Sequence, residues 1–174
     1  IDIDNFNIDG TTIALSSGEM TLDAASHINL DADSGEVLFK DGGTQFGNIF
    51  KSGNDFRFFS SISDGDIVFR GNDGGSNITA LTLDMSAAGE ATFNDDINLG
   101  DSKRLRMGAG GDFEIFHDGS HNYIKGASGD QDIIFQGVDG SSGITALTLD
   151  MSDAGSAIFN NAIYLNADLI HTGD

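Results

Sequence analysis

Carboxylates are the side chains in this chain best placed to do chemistry. Its 174 residues include 28 acidic ones, 24 Asp and four Glu, the latter being Glu19, Glu36, Glu90 and Glu114. Two carboxylates about 5–10 Å apart are the working parts of a glycoside hydrolase, so a polysaccharide depolymerase has to be weighed. The pattern speaks against it. Most Asp residues fall in turn sequences, and on sliding the chain along itself by 66 residues Glu114 meets Asn48 and Glu90 meets Ser156. No acidic pair is singled out as acid and base, and the expectation is no enzyme and no catalytic residue.

Asp-rich turns also offer hard oxygen ligands, which makes calcium the one inorganic partner kept open and leaves no other cofactor implied. The run Gly108-Ala109-Gly110-Gly111-Asp112 follows part of a calcium-turn spacing, but it occurs once and Glu114 stands where an apolar residue would belong. A solvated turn is the expected reading. His117 and His121 flank Asp118-Gly119-Ser120, and three copies of one His could meet on a trimer axis around a metal. Their repeat partners are Lys51 and Asp55, so the fold does not need imidazole there and surface histidines are expected. Among the aromatics, Phe56 and Phe58 share one face of an extended run and are expected to pack, whereas Arg57 and Phe59 point the other way. Arg57 and Phe59 are the candidate glycan contacts.

These residues must be positioned by short strands. The nonapeptide Ile-Thr-Ala-Leu-Thr-Leu-Asp-Met-Ser stands at 78–86 and again at 144–152, and over 66–99 about two thirds of positions are identical at that 66-residue offset. The chain is therefore read as an N-terminal β-repeat section (1–65, a partial, divergent unit), a repeat unit (66–131) and a second, truncated copy (132–174). Alternating runs at 19–24, 27–32 and 36–41 are expected as strands, and Asp-Gly pairs at Asp9, Asp41, Asp64, Asp73, Asp118 and Asp139 as the reversals between strands. Alternation puts Ile67, Phe69, Leu81, Leu83, Met85 and Phe93 inside, with their counterparts Ile133, Phe135, Leu147, Leu149, Met151 and Phe159. A turn of helix is conceivable only at 86–91 and 152–157, where Gly89 and Gly155 argue against it.

With 24 Gly, no Pro, no Cys and 39% apolar residues, the composition suits a thin repetitive β structure without disulfides. The formal charge of −20 disfavours nucleic acid, because no basic patch is expected to displace counterions from phosphate. No apolar run approaches the roughly 18 residues of a membrane span, so no membrane insertion is expected. The chain starts at Ile1 and stops amid the strand-and-turn pattern, and is read as part of a longer one. Short one-faced strands need a partner face, and two architectures supply it: a single-chain β-solenoid, or a homotrimer whose chains pack their apolar faces about a common axis. Uneven strand spacing within a faithful long period leans towards the multi-chain shaft.

The run Thr-Ala-Leu-Thr-Leu-Asp-Met-Ser followed by Ala-Thr-Phe-Asn, the segment Gly-Asp-Phe-Glu-Ile-Phe-His-Asp-Gly-Ser at 111–120 with Tyr123-Ile124-Lys125, and Val-Leu-Phe-Lys-Asp-Gly-Gly-Thr at 37–44 resemble the repeat regions of tail fibres of marine, cyanophage-like tailed bacteriophages. The resemblance covers nearly the whole chain. It implies an all-β, elongated fibre, an intertwined homotrimeric β-helix or β-prism, in the virion tail and therefore extracellular. Its function would be structural: host attachment by spacing and presenting a receptor-binding tip, with a host-surface glycan or receptor as the outside partner. Similar repeats occur in surface proteins of aquatic bacteria, so a bacterial surface filament or adhesin at the cell surface is the alternative.

Overall fold

The computed structural model describes residues 6–10 and 12–164. Among them the chain is all-β, with no helix. A hairpin of β1 (Phe6–Asp9) and β2 (Thr12–Leu15) is followed by four three-stranded antiparallel meanders. The first is β3 (Glu36–Asp41), β4 (Thr44–Ser52) and β5 (Asp55–Ser60), and the second β6 (Ile67–Asp73), β7 (Ser76–Asp84) and β8 (Glu90–Phe93). The third is β9 (Arg104–Met107), β10 (Phe113–His117) and β11 (Asn122–Gly126), and the fourth β12 (Ile133–Asp139), β13 (Ser142–Asp150) and β14 (Ser156–Phe159). Shifting by 66 residues carries the first meander onto the third and the second onto the fourth. In the latter pair the ladders agree residue for residue: Phe69 faces Leu81 and Leu81 faces Phe93, as Phe135 faces Leu147 and Leu147 faces Phe159.

The turns explain the antiparallel order. Gly42-Gly43 and Gly74-Gly75 each supply two successive left-handed residues (φ 54° and 84°, 57° and 96°), the geometry of a two-residue hairpin loop that matches strand twist. Such loops fold each strand back on its neighbour in sequence. No parallel ladder between successive copies, by which a single-chain solenoid would stack, occurs among the described residues. At Asp64-Gly65 the left-handed residue is the Asp (φ 59°) rather than the Gly. A side chain at Gly65 would come within 2.8 Å of Ser60 Oγ and 3.1 Å of the Ile62 carbonyl oxygen, so glycine there answers to close approach.

Two strand expectations are corrected. Residues 19–24 and 27–32 join no ladder, and only the third run of that series, at 36–41, becomes a strand. Their alternation is sound, but a strand needs a neighbour and the described chain supplies none. At 86–91, where Gly89 argues against a turn of helix, the chain is a turn loop as far as Gly89, with Ala88 at φ 58° and Gly89 at φ 86°, and then the start of β8. Met85 and Met151 lie in these loops, one residue beyond the strands that carry Leu83 and Leu149.

The chain divides into two compact units, Ile1–Asp96 and Ile97–Asp174. Within each, the main contacts of a strand are with members of its own sheet. Among the described residues no apolar side chain is buried, and the two buried polar residues are Asn48 and Glu114.

Candidate functional site

The second and fourth meanders each present an apolar face whose phenylalanines stay about half exposed. In the second meander Ile67, Leu83 and Ala91 form one row across the sheet and Phe69, Leu81 and Phe93 the next, and because neighbours along a strand alternate, both rows lie on one face. The rows Ile133-Leu149-Ala157 and Phe135-Leu147-Phe159 repeat the arrangement. Ten of the twelve residues expected inside are thus brought together on two equivalent faces, with the two Met residues at their ends. The chain by itself buries none of them: Phe69 is 50% exposed, and Phe93, Phe135 and Phe159 are 46% exposed.

In the first meander Arg57 and Phe59 share a face with Phe50 and Asn48, as the glycan reading requires. Phe59 meets Phe50 edge-on at 6.4 Å, while the Arg57 guanidinium lies 6.0 Å from the Phe50 ring and pairs with Asp55 at 2.8 Å. Phe56 and Phe58, expected to pack, are edge-to-face at 5.1 Å but 71% and 56% exposed. A groove of about 490 Å³ runs past Phe39, Phe46, Asn48 and Phe59 to Ile67. Asn48 sits mid-strand in β4 between Leu38 and Phe59, and its carboxamide oxygen is buried without a hydrogen-bond partner among the described residues. Such an acceptor costs on the order of 1–3 kcal/mol until a donor reaches it.

Glu114, the repeat counterpart of Asn48, has partners. It stands mid-strand in β10 with Arg106 directly opposite on β9 and Lys125 opposite on β11. Its Oε1 accepts from Arg106 Nε at 2.9 Å and its Oε2 from Arg104 Nε at 3.1 Å, with Lys125 Nζ at 3.9 Å. The Arg104 guanidinium lies 4.4 Å over the Phe116 ring, which stacks on Tyr123 at 4.6 Å and 12°. Tyr123 donates its hydroxyl hydrogen to Asp118 Oδ2 at 2.8 Å. The cluster gathers Arg104, Arg106 and Lys125 around one carboxylate. Its signal was present in the sequence, since Lys103, Arg104 and Arg106 crowd into four positions of a strongly acidic chain.

The remaining candidates are placed as follows. His117 Nδ1 is 3.0 Å from Asn122 Oδ1, and His121 is exposed beside Asp118. Asp112, the acid of the glycine-rich run, accepts from Ser128 Oγ at 2.6 Å. Among the described residues no three His, Asp or Glu gather as a cation-binding set. Compared with protein-family models, curated proteins and solved structures, the chain matches none.

Proposed function

We propose that this chain is a segment of a bacteriophage tail fibre whose work is mechanical and presentational: it spaces a receptor-binding tip from the virion for host attachment. Its working form is an intertwined homotrimer in which the apolar faces of the meanders close against one another. The observation that carries the reading is the absence of any buried apolar side chain among the described residues, although in the second and fourth meanders alternation gathers Ile67, Phe69, Leu81, Leu83 and Phe93 and their counterparts onto one face. The chain exposes 14,625 Å², whereas a folded monomer of 18.2 kDa would expose about 8,100 Å². The excess is several times the roughly 1,600 Å² of a standard protein interface. The partnerless Asn48 oxygen and the alternating runs at 19–24 and 27–32 support the same reading, because each asks for a group from outside the chain. The sequence resemblance supplies the tail-fibre identity, and the shared Arg57 and Phe59 face supplies the candidate glycan contact.

Sedimentation velocity tests the architecture. A species of three chain masses supports it, and a monomer at all concentrations overturns it. Antibody labelling tests the location: label on the tails of purified phage particles supports it, and label confined to bacterial surfaces favours a surface filament.

A further inference from the structure

The third meander differs from the first at most positions, and several of the differences alter charge. Where the first has Val37, Leu38, Asn48 and Phe59, the third has Lys103, Arg104, Glu114 and Lys125, and Lys40 becomes Arg106. Four uncharged side chains of the first meander thus correspond to charged ones in the third, in a stretch where only Gly42, Ile49, Phe50 and Gly53 keep their identity at the 66-residue offset. The first meander forms without those charges, so the fold does not require them. Residues 102–126 hold four of the eight basic residues against three acidic ones (Asp112, Glu114 and Asp118), a balance of +1, while the other 149 residues hold four basic against 25 acidic, a balance of −21.

The geometry directs these charges outward. The Glu114 side chain is only 9% exposed and engages both arginines through Nε, which fixes each guanidinium plane. Among the described residues both Nη groups of Arg106 and Nη2 of Arg104 lack a hydrogen-bond partner. Phe116 holds Arg104 from a second side. One carboxylate faces Arg104, Arg106 and Lys125, leaving that group two positive charges in surplus, and Lys103 lines the cleft beside it. The cleft measures about 230 Å³ and is lined also by Ser102, Arg104 and Arg106.

We propose that this cleft binds an oxyanion, the phosphate, sulfate or carboxylate group of a small ligand or sugar. Arg104 and Arg106 present their free N–H groups to its oxygens, Lys103 adds charge, and Glu114 acts as a positioning residue that holds the guanidiniums apart. The binding chemistry resides within one sheet and does not rest on the fibre reading.

The test is calorimetric titration of the whole chain with inorganic sulfate at constant ionic strength, repeated for Lys103→Gln and Arg106→Lys. Lys103 has no bond to Glu114, so its variant leaves the buried carboxylate satisfied; Arg106→Lys keeps the charge but loses the fork. Saturable binding at one site per chain is expected, weakened about threefold or more by Lys103→Gln and about tenfold by Arg106→Lys. Sulfate behaving like chloride, or titrations unchanged in both variants, overturns the proposal. Inorganic phosphate and glucose 6-phosphate separate the sources: tighter binding of the sugar phosphate identifies a sugar-borne anion, equal binding a free one, and either supports the shared chemistry. If instead both variants lower the assembly state and sulfate dissociates the wild type, the cleft holds a carboxylate of another copy and the proposal falls.

Discussion

Asp84 and Asp150 end equivalent strands and organise equivalent loops. Asp84 Oδ1 accepts from Ser86 Oγ at 2.7 Å and from the Ala87 amide at 3.0 Å, and Asp150 does the same with Ser152 and Asp153. The serine hydroxyl first, and then the loop amides, hold both carboxyls below their ordinary value of 3.8. A folded-state pKa below the unfolded one means stability that is present above about pH 4 and lost as the pH falls through the lower folded value. The melting temperature should therefore drop on acidification below pH 4, and with a shallower slope in the double variant Asp84→Asn, Asp150→Asn; identical slopes would sink the assignment. Tyr123 moves the other way: its hydrogen bond to Asp118 raises it above 10.0. That stabilisation is present below about pH 10 and is lost as the pH climbs through the raised folded value. In a Tyr164→Phe background the phenolate absorbance of Tyr123 should rise at lower pH once Asp118 is replaced by Asn. In the same pair of loops Ala88 and Ala154 sit at φ 58° and 54°, where an L side chain is strained. Ala88→Gly and Ala154→Gly should each stabilise by about 0.5–1 kcal/mol in thermal melts, after the entropy glycine adds to the unfolded chain.

At the scale of the sheet, the two faces of β7 make opposite predictions. Leu83 lies between Ile67 and Ala91 on the apolar face, and Thr82 between Val68 and Thr92 on the other. If the apolar face closes against another chain, Leu83→Asp costs several kcal/mol and prevents assembly, because an unpaired carboxylate would enter a dry contact. Thr82→Asp should change stability by no more than about 0.5 kcal/mol if its face stays wet. Equal, small effects of both on melting and sedimentation would show that neither face is covered. Three of the four meanders also carry a bulge, after Phe39, Phe69 and Phe135. In the second and fourth it leaves Phe69 opposite Leu81 and Phe135 opposite Leu147 while moving the next pair by one residue, so the apolar rows stay intact on one side of the irregularity.

For the whole molecule, the segments at 19–24, 27–32 and 96–100 alternate like strands yet join no ladder. Met20, Leu22, Ile28, Leu30, Ile97 and Leu99 along them are between 48% and 66% exposed. In an intertwined trimer their amides pair with neighbouring chains. Hydrogen exchange should then find them protected at high concentration, with protection lost on dilution to monomer. Random-coil exchange rates in an intact trimer would contradict the intertwined form.

The sequence by itself determined the all-β character, the 66-residue repeat and which side chains share a face, because turn chemistry and period-two alternation are local properties of the chain. It placed Arg57 and Phe59 on one face, and it set Ile67, Phe69, Leu81, Leu83 and Phe93 together before any ladder was known. The repeat was divided at 66 and 132, although a period by itself has no beginning; in the structure each 66-residue period holds a pair of meanders. Met85 left the strand because Asp66 captures its amide at 3.1 Å, a contact across 19 residues that alternation cannot register. The convergence of Glu114 on Arg104, Arg106 and Lys125 likewise needed the ladder, which sets side by side residues eight to eleven positions apart in sequence. A buried charge is legible only when its partners are, and strand pairing is what chose them.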